Sequence, residues 1–240
     1  SGGAQGSASS GTVALNTWTH VAIVRSSGTL TYYINGTASG TSAQSNTWTA
    51  NTPKVGGQGW ASAYCFNGYI SNLRFVNGIA VYTGNFTVPT SPLAATQSSG
   101  TNIAALTGTQ TTLLTSQSNR YLDNSTNSWT VSTNGSPQIS GFMPFTPNTS
   151  YSTYGSGYFD GSTMSLTVAS NSAFSLTGDF TIEAWVYLTS ASGTKTIFTN
   201  RTSYANSTGL AWVTQSGSQA LSIYTDRKST RLNSSHVALS

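Results

Sequence analysis

The first part of the chain contains apolar runs with the pattern of β-strands. In the run WTHVAIVR at residues 18–25, Trp18, His20, Ala22 and Val24 would lie on one face of a strand and the intervening residues on the other. A second run, LTYYIN at residues 30–35, follows a turn at Gly28 and ends at Asn35-Gly36, the strongest short signal for a tight turn. This pattern predicts a β-hairpin.

Later runs have the same period. The run YISNLRFV predicts a strand over residues 69–76, with Tyr69, Ser71, Leu73 and Phe75 on one face. The run FTIEAWVYL predicts a strand over residues 180–188, whose apolar face carries Phe180, Ile182, Ala184, Val186 and Leu188. A further hairpin is expected within residues 210–224, and no segment has a convincing helical period.

Composition supports a β protein and limits its partners. Only 6% of the residues are charged, while the chain holds six Trp and twelve Tyr, enough aromatic side chains to build a core. The net charge is +4, but much of the excess lies within residues 226–231, and the rest is scattered. We therefore expect no nucleic-acid binding, which needs a concentrated basic surface. No apolar run is long enough to span a membrane.

Three stretches carry a family resemblance: TWTHVAIVRSSGTLTYYINGT at residues 17–37, GYISNLRFVNGIAVYTGNFTVPTSPL at 68–93, and YFDG at 158–161 leading to FTIEAWV at 180–186. They resemble the laminin G-like, concanavalin A-like jelly-roll repeats of the lectin/glucanase superfamily. The resemblance is to the type found in phage structural and bacterial surface proteins. It implies an all-β, concanavalin A-like antiparallel β-sandwich.

The order of the resembling parts is permuted. Residues 1–93 resemble the C-terminal half of such a jelly roll and residues 155–225 the N-terminal half; residues 94–154 form a Ser/Thr/Asn-rich inter-repeat spacer. Either the chain is a fragment cut from tandem repeats, or the two half-domains complete each other. Pairing of the two half-domains into one sandwich is favoured physically, since either half alone would expose open sheet edges and an apolar face. Residues 226–240 change composition sharply and predict a foreign or disordered tail.

Enzymatic activity is not expected. Glycoside hydrolysis needs two carboxyl groups roughly 5–9.5 Å apart. The strand that matches the catalytic strand of related glucanases offers Glu183 alone, and Asp179 lies four residues before it, about 13 Å along an extended strand. We expect Glu183 to face solvent or pair with an arginine, and His20 to be a hydrogen-bonded, buried or half-buried histidine.

Binding of a ligand, rather than catalysis, is the expected role of the chain. Jelly-roll lectins bind sugars with an aromatic platform and Asn or Asp side chains, which makes Trp60, Tyr64 and Tyr204 the candidate ligand-binding residues. No cofactor is expected, with calcium as the open alternative. Asp160 is the candidate metal ligand, although a simple hairpin turn at Asp160-Gly161 is favoured.

These observations predict a non-catalytic recognition or structural module of a larger repeat protein, in a phage tail or surface adhesin. Glycans are the expected ligands of a recognition module of this kind. Its partners would be glycans or a host surface and neighbouring repeats, without nucleic acid or membrane. Its location would be the virion, the extracellular space or the cell surface. Two alternatives stay open: a purely architectural repeat, and a degenerate glycoside hydrolase, which requires a second carboxylate near Glu183.

Overall fold

The computed structural model describes residues 4–49, 51–58, 62–145, 155–201 and 209–225. In these ranges the chain forms short β-strands and two single-turn 3₁₀ helices, at Ser62–Tyr64 and Ser172–Phe174. The strands are β1 (Ala4–Thr12), β2 (Trp18–Ser26), β3 (Thr29–Ile34), β4 (Thr37–Ala43), β5 (Lys54–Val55), β6 (Asn67–Asn77), β7 (Thr96–Gln97), β8 (Leu106–Thr107), β9 (Thr111–Thr115), β10 (Val131–Asn134), β11 (Gln138–Ser140), β12 (Ser156–Asp160), β13 (Ser165–Val168), β14 (Phe180–Leu188), β15 (Lys195–Thr199), β16 (Ala211–Thr214) and β17 (Ala220–Thr225).

Two antiparallel sheets pack face to face. The seven-stranded sheet has the order β1-β17-β16-β15-β5-β13-β10. The eight-stranded sheet has the order β11-β12-β6-β14-β2-β3-β4, with β9 also paired to β6. A separate pair joins β7 to β8. This confirms the prediction of an all-β, concanavalin A-like sandwich.

Both sheets combine strands from the earlier and the later part of the chain. Strand β14, from the later part, lies between β6 and β2 from the earlier part. Strand β5 lies between β15 and β13, and β1 pairs with β17. Each half therefore fills gaps in the sheets of the other, as completion by two half-domains in permuted order requires. The domain boundaries at residues 93 and 154 stay a prediction.

The predicted spacer contributes to the sandwich as well. Strand β9 pairs with β6, β10 with β13, and β11 with β12, while β7 and β8 form a small hairpin-like pair. Both Leu113 and Leu114 in β9 are buried. The described part of residues 94–154 is thus packed onto the two sheets. The predicted tail at residues 226–240 lies outside the described residues.

The sandwich has an apolar layer between its sheets and a second one outside. The inner layer includes the whole predicted apolar face of β14, Phe180 to Leu188 at alternate positions, together with Trp48, Phe75 and Trp212. The second layer lies on the outer face of the eight-stranded sheet, where residues 78–107, here called the outer strap, cover it. Strap residues Val81, Tyr82, Phe86 and Leu106 are buried there against Ala22, Val24, Tyr33 and Val76.

The predicted tight turn is confirmed at Asn35-Gly36. Both residues have positive φ, 48° and 77°, as a two-residue hairpin turn of this kind requires. A side chain at Gly36 would also collide with the outer strap, because a Cβ there would lie 2.1 Å from the carbonyl oxygen of Phe86. The turn therefore fixes both the hairpin and the approach of the strap.

The predicted faces of β6 are wrong in their second half. The sequence put Tyr69, Ser71, Leu73 and Phe75 on one face, whereas Leu73 and Phe75 join Ile70 in the inner core. The cause is a β-bulge: Asn72 takes a left-handed conformation (φ 55°), and the register with β14 shifts between Glu183 and Trp185. The bulge turns Arg74 to the outer face.

Candidate functional site

Four polar side chains meet on the outer face of the eight-stranded sheet, under the outer strap. We call His20, Arg74, Tyr82 and Glu183 the ion cluster. Glu183 Oε2 accepts hydrogen bonds from Tyr82 Oη at 2.6 Å and from His20 Nε2 at 3.1 Å. Arg74 Nε donates to Glu183 Oε1 at 2.8 Å, and Arg74 Nη2 lies 2.6 Å from the same oxygen. All four residues are at most 2% exposed.

The strap also binds the remaining donors of Arg74. Nη1 donates to the carbonyl oxygen of Ala94 at 2.9 Å, and Nη2 donates to Gln97 Oε1 at 2.6 Å. Every guanidinium nitrogen of Arg74 therefore has an acceptor. A buried charge pair is tolerated when its members are also hydrogen-bonded in this way.

Charges and hydrogen bonds within the ion cluster determine which of its groups carry a proton. Burial alone would raise the pKa of Glu183, but the charge of Arg74 and the bonds from His20 and Tyr82 outweigh it and lower the pKa to about 2. Burial and the nearby Glu183 raise the pKa of Tyr82 well above 10. Because the carboxylate carries no proton, His20 must donate from Nε2. His20 Nδ1 has no hydrogen-bond partner among the described residues.

This arrangement is unsuited to acid–base catalysis. Both oxygens of Glu183 are occupied and no substrate reaches them, since the outer strap covers the cluster. Glu183 pairs with an arginine, one of its two expected environments, and His20 is the expected hydrogen-bonded histidine. The sequence did not single out Arg74, Tyr82 or Gln97 as partners. The signal was weak: a lone acid and a lone arginine on two predicted strands.

Of the three predicted ligand-binding residues, the structure describes Tyr64. Trp60 and Tyr204 lie outside the described residues. Tyr64 ends the first 3₁₀ helix and is half-buried. It lines a small cavity of about 60 Å³, here called the end pocket, together with Gln58, Thr194, Arg201 and Tyr224. Gln58 and Arg201 stand close in sequence to Trp60 and Tyr204, so the described neighbours of both line the same pocket.

Asp160 ends β12 and holds the turn that follows. Its carboxylate accepts hydrogen bonds from Ser162 N at 2.9 Å, Ser162 Oγ at 2.5 Å and Thr163 N at 3.4 Å. Burial acts to raise the pKa of Asp160, but these bonds outweigh it and lower the pKa. The turn carries the chain from the eight-stranded to the seven-stranded sheet, so it is not the expected hairpin. Within the described ranges, no three His, Cys, Asp or Glu residues group as metal ligands would.

A group of aromatic rings that the sequence did not single out as a site lies on the same outer face. We call Trp18, Tyr69, Phe142, Tyr158 and Tyr187 the aromatic cluster. Register puts Tyr187 opposite both Trp18 and Tyr69, and Tyr158 opposite Tyr69. Phe142 lies over the middle, with its ring centroid 4.8 Å from Tyr187 and 5.1 Å from Tyr69. These residues are distant in sequence, and only strand pairing brings them together.

Comparison with known proteins supports the class of the domain. Residues 1–82 match a laminin G-like family model described as the concanavalin A-like lectin/glucanases superfamily. No curated protein and no solved structure matches the chain. The predicted resemblance is confirmed over the matched residues, and the two-sheet fold agrees with it.

A domain of this superfamily is in general a carbohydrate-binding or structural module. Laminin G-like and lectin domains are generally non-catalytic, and laminin G-like domains are typically extracellular or on the cell surface. Within the described ranges, no helix has the length and apolar character needed to cross a membrane.

Proposed function

We propose that this chain is a non-catalytic, glycan-binding module of a larger repeat protein on a virion or cell surface. The observation that carries the proposal is the end pocket. Two tyrosines, an amide, a hydroxyl and a guanidinium converge there from Tyr64, Tyr224, Gln58, Thr194 and Arg201. This mixture suits a sugar, whose ring presents apolar C–H faces and a rim of hydroxyl groups.

The size of the pocket indicates how a sugar would bind. A cavity of about 60 Å³ is too small to enclose a sugar ring, so the ring would lie on the lip and insert one substituent. We propose that Trp60, Tyr64 and Tyr204 supply the stacking surface at that lip. This assignment is supported by Gln58 and Arg201, which line the pocket close in sequence to Trp60 and Tyr204.

The ion cluster argues against the hydrolase alternative. A degenerate hydrolase would keep an accessible carboxylate, but Glu183 is fully buried and paired with Arg74. Among the described residues, no second acid takes part in its hydrogen-bond network. A purely architectural repeat stays the competing proposal, and the binding experiment decides between the two.

The test is a glycan-array screen of the full chain, with calcium and with a chelator. We expect a calcium-independent signal that Trp60→Ala, Tyr64→Ala or Tyr204→Ala abolishes. Tyr64→Phe is the matched control, because it keeps the ring and removes only the hydroxyl. Loss of the signal in chelator would assign calcium a role, with Asp160 as the residue to substitute next. No signal from a folded, sheet-rich sample would favour the architectural repeat.

A further inference from the structure

The aromatic cluster forms a continuous ring surface across four strands. Neighbouring centroids lie 5.7 Å apart for Trp18 and Tyr187, 5.9 Å for Tyr187 and Tyr69, and 5.1 Å for Tyr69 and Tyr158. The four residues come from β2, β14, β6 and β12. Phe142 lies above three of them and is 43% exposed. The cluster is therefore open to solvent rather than sealed beneath the outer strap.

A row of polar side chains borders the cluster on the same face. We call Asn67, Asp160 and Thr189 the polar row. Each lies two positions from a tyrosine of the cluster (Tyr69, Tyr158 and Tyr187, respectively) and therefore shares that tyrosine's face of the sheet. Asp160 lies opposite Asn67 in the ladder, and Thr189 Oγ1 donates to Asn67 Oδ1 at 2.6 Å. An amide, a carboxylate and a hydroxyl thus lie beside the rings.

Several polar atoms of the cluster have no partner. In the described part of the chain, no hydrogen bond is made by the hydroxyls of Tyr69, Tyr158 and Tyr187. The indole nitrogen of Trp18 is buried and also has no partner there. The three hydroxyls belong to partly exposed tyrosines, so they are accessible to an oxygen-rich ligand, whereas the Trp18 N–H is buried and out of its reach.

Charge and area limit the ligand class. The cluster and the polar row contain no Lys or Arg, and Asp160 would repel an anion, which excludes acidic sugars and nucleic acid. Large exposed apolar side chains in the described ranges are limited to Leu15, Leu122 and Phe142. A stable protein interface needs roughly 800 Å² on each partner with an apolar centre. The surface suits stacking rings and hydroxyls better than a protein.

We infer that the aromatic cluster and the polar row form a second binding surface, for an uncharged polysaccharide. Sugar rings stack on Phe142 and the flanking rings, while their hydroxyls bond to Asn67, Asp160 and the free phenols. Residues 188–194 connect the two sites along the chain, since Tyr187 belongs to the aromatic cluster and Thr194 lines the end pocket. The inference rests on the proposed glycan-binding function and adds a separate site to it.

The test measures binding of the full chain to soluble neutral polysaccharides: hydroxyethyl cellulose, galactomannan and mixed-linkage β-glucan, by affinity electrophoresis and calorimetry. We expect Phe142→Ala to weaken binding at least about tenfold and Asn67→Ala about threefold. Phe142→Trp should retain binding because it restores a stacking ring. A sulfated glucan should bind more weakly than its neutral parent. Near-ultraviolet circular dichroism checks that each variant keeps its packing.

Other outcomes separate the two proposals. If Phe142→Ala and Asn67→Ala bind like the original chain while Tyr64→Ala abolishes binding, the second surface is wrong and the end pocket stands. If the unaltered chain binds neither the polysaccharides nor the glycan array, both proposals fail. If the chain instead self-associates, and Phe142→Ala removes that association, the cluster is a protein interface and the inference is overturned.

Discussion

The ion cluster and the aromatic cluster occupy the same face of the same sheet, yet their environments are opposite. Tyr187 is four residues from Glu183 on β14, and Trp18 is two residues from His20 on β2. Glu183 is fully buried beneath the outer strap, whereas Tyr187 stays half-exposed. The comparison shows that the cover on a strand, and not the strand itself, decides whether its outward side chains are buried in a network or stay exposed to solvent.

The two regions also differ in how their polar atoms are satisfied. In the ion cluster, Glu183 and Arg74 have all their oxygens and nitrogens bonded. In the aromatic cluster, several donors have no partner within the described ranges. A satisfied buried network stabilises one packing, and the unpartnered atom of the ion cluster is His20 Nδ1. The tyrosine hydroxyls of the aromatic cluster are partly exposed, so they can bond to water or to a ligand.

The largest expected effect comes from removing one charge of the buried pair. Arg74→Met leaves the Glu183 carboxylate buried without its cation, and we expect a loss of about 3–5 kcal/mol in the free energy of unfolding. Urea denaturation measures it. The matched control is Arg120→Met, an exposed arginine, with an expected change within about 0.5 kcal/mol.

A double variant sharpens this result. Arg74→Met combined with Glu183→Met removes both charges and should recover part of the lost stability, because no unpaired charge remains. Equal effects of Arg74→Met and Arg120→Met would show that the ion cluster does not stabilise the fold, and the contrast with the aromatic cluster would disappear.

The next effect is on stability in acid. The pKa of Glu183 is lowered from 4.5 to about 2 in the folded chain, so the ionised form favours folding. Its contribution is present above pH 4.5 and is lost as the pH falls through about 2. The difference corresponds to about 3 kcal/mol. Denaturation at a series of pH values should show this loss.

The control for the acid effect is Glu183→Gln, which should be less stable at neutral pH but show a flatter dependence between pH 4.5 and 2. The Asp160 pKa is lowered too, but its carboxylate is near the surface, so Asp160→Asn should flatten the curve far less. A pH dependence that Glu183→Gln leaves unchanged would assign the effect to other acids.

A smaller effect is expected at the bulge that separates the two regions. Asn72 accepts hydrogen bonds from Leu93 N and Gln117 Nε2, and its left-handed backbone suits Asn or Gly. Asn72→Ala should cost about 2 kcal/mol through the lost bonds and the backbone strain. Asn72→Gly should cost about 1 kcal/mol less than that, since glycine relieves the strain.

The bulge also decides how Arg74 faces its partner. If Asn72→Ala were as stable as the unaltered chain, the left-handed residue would not be needed to place Arg74 opposite Glu183. The measurement is the same urea denaturation, with Asn72→Gly as the internal reference. Equal stabilities of the two variants would likewise contradict the expected backbone strain.

The sequence predicted the regular parts of the fold well. The apolar face of β14 and the turn at Asn35-Gly36 follow from local patterns, since period and turn chemistry act between neighbouring residues. The bulge at Asn72 could not be predicted, because an asparagine in an alternating run fits a regular strand equally well. Without the bulge, the alternating pattern assigns Leu73 and Phe75 to the same face as Tyr69 and Ser71, whereas both lie in the inner core.

The aromatic cluster was harder to predict than the regular strands, for a different reason. Trp18, Tyr69, Tyr158 and Tyr187 become neighbours through pairing of β2, β14, β6 and β12, and their separation in sequence hides this from any local pattern. Tyr64 could be singled out because a Gly-rich loop beside aromatics is a local signal. Register between distant strands is a property of the whole fold.

The smallest expected effect is that of Phe142→Ala, which we compare with Phe86→Ala on the same sheet face. Phe86, in the outer strap, is 9% exposed and stacks on Tyr82 at 3.5 Å, whereas Phe142 is 43% exposed. We expect Phe86→Ala to cost about 3–4 kcal/mol of stability and Phe142→Ala only about 1 kcal/mol, because a half-exposed ring buries less apolar surface. Thermal and urea denaturation of both variants measure the difference. Equal losses would mean that Phe142 is a core residue, and the aromatic cluster would then be a second cover like the strap and not a binding surface.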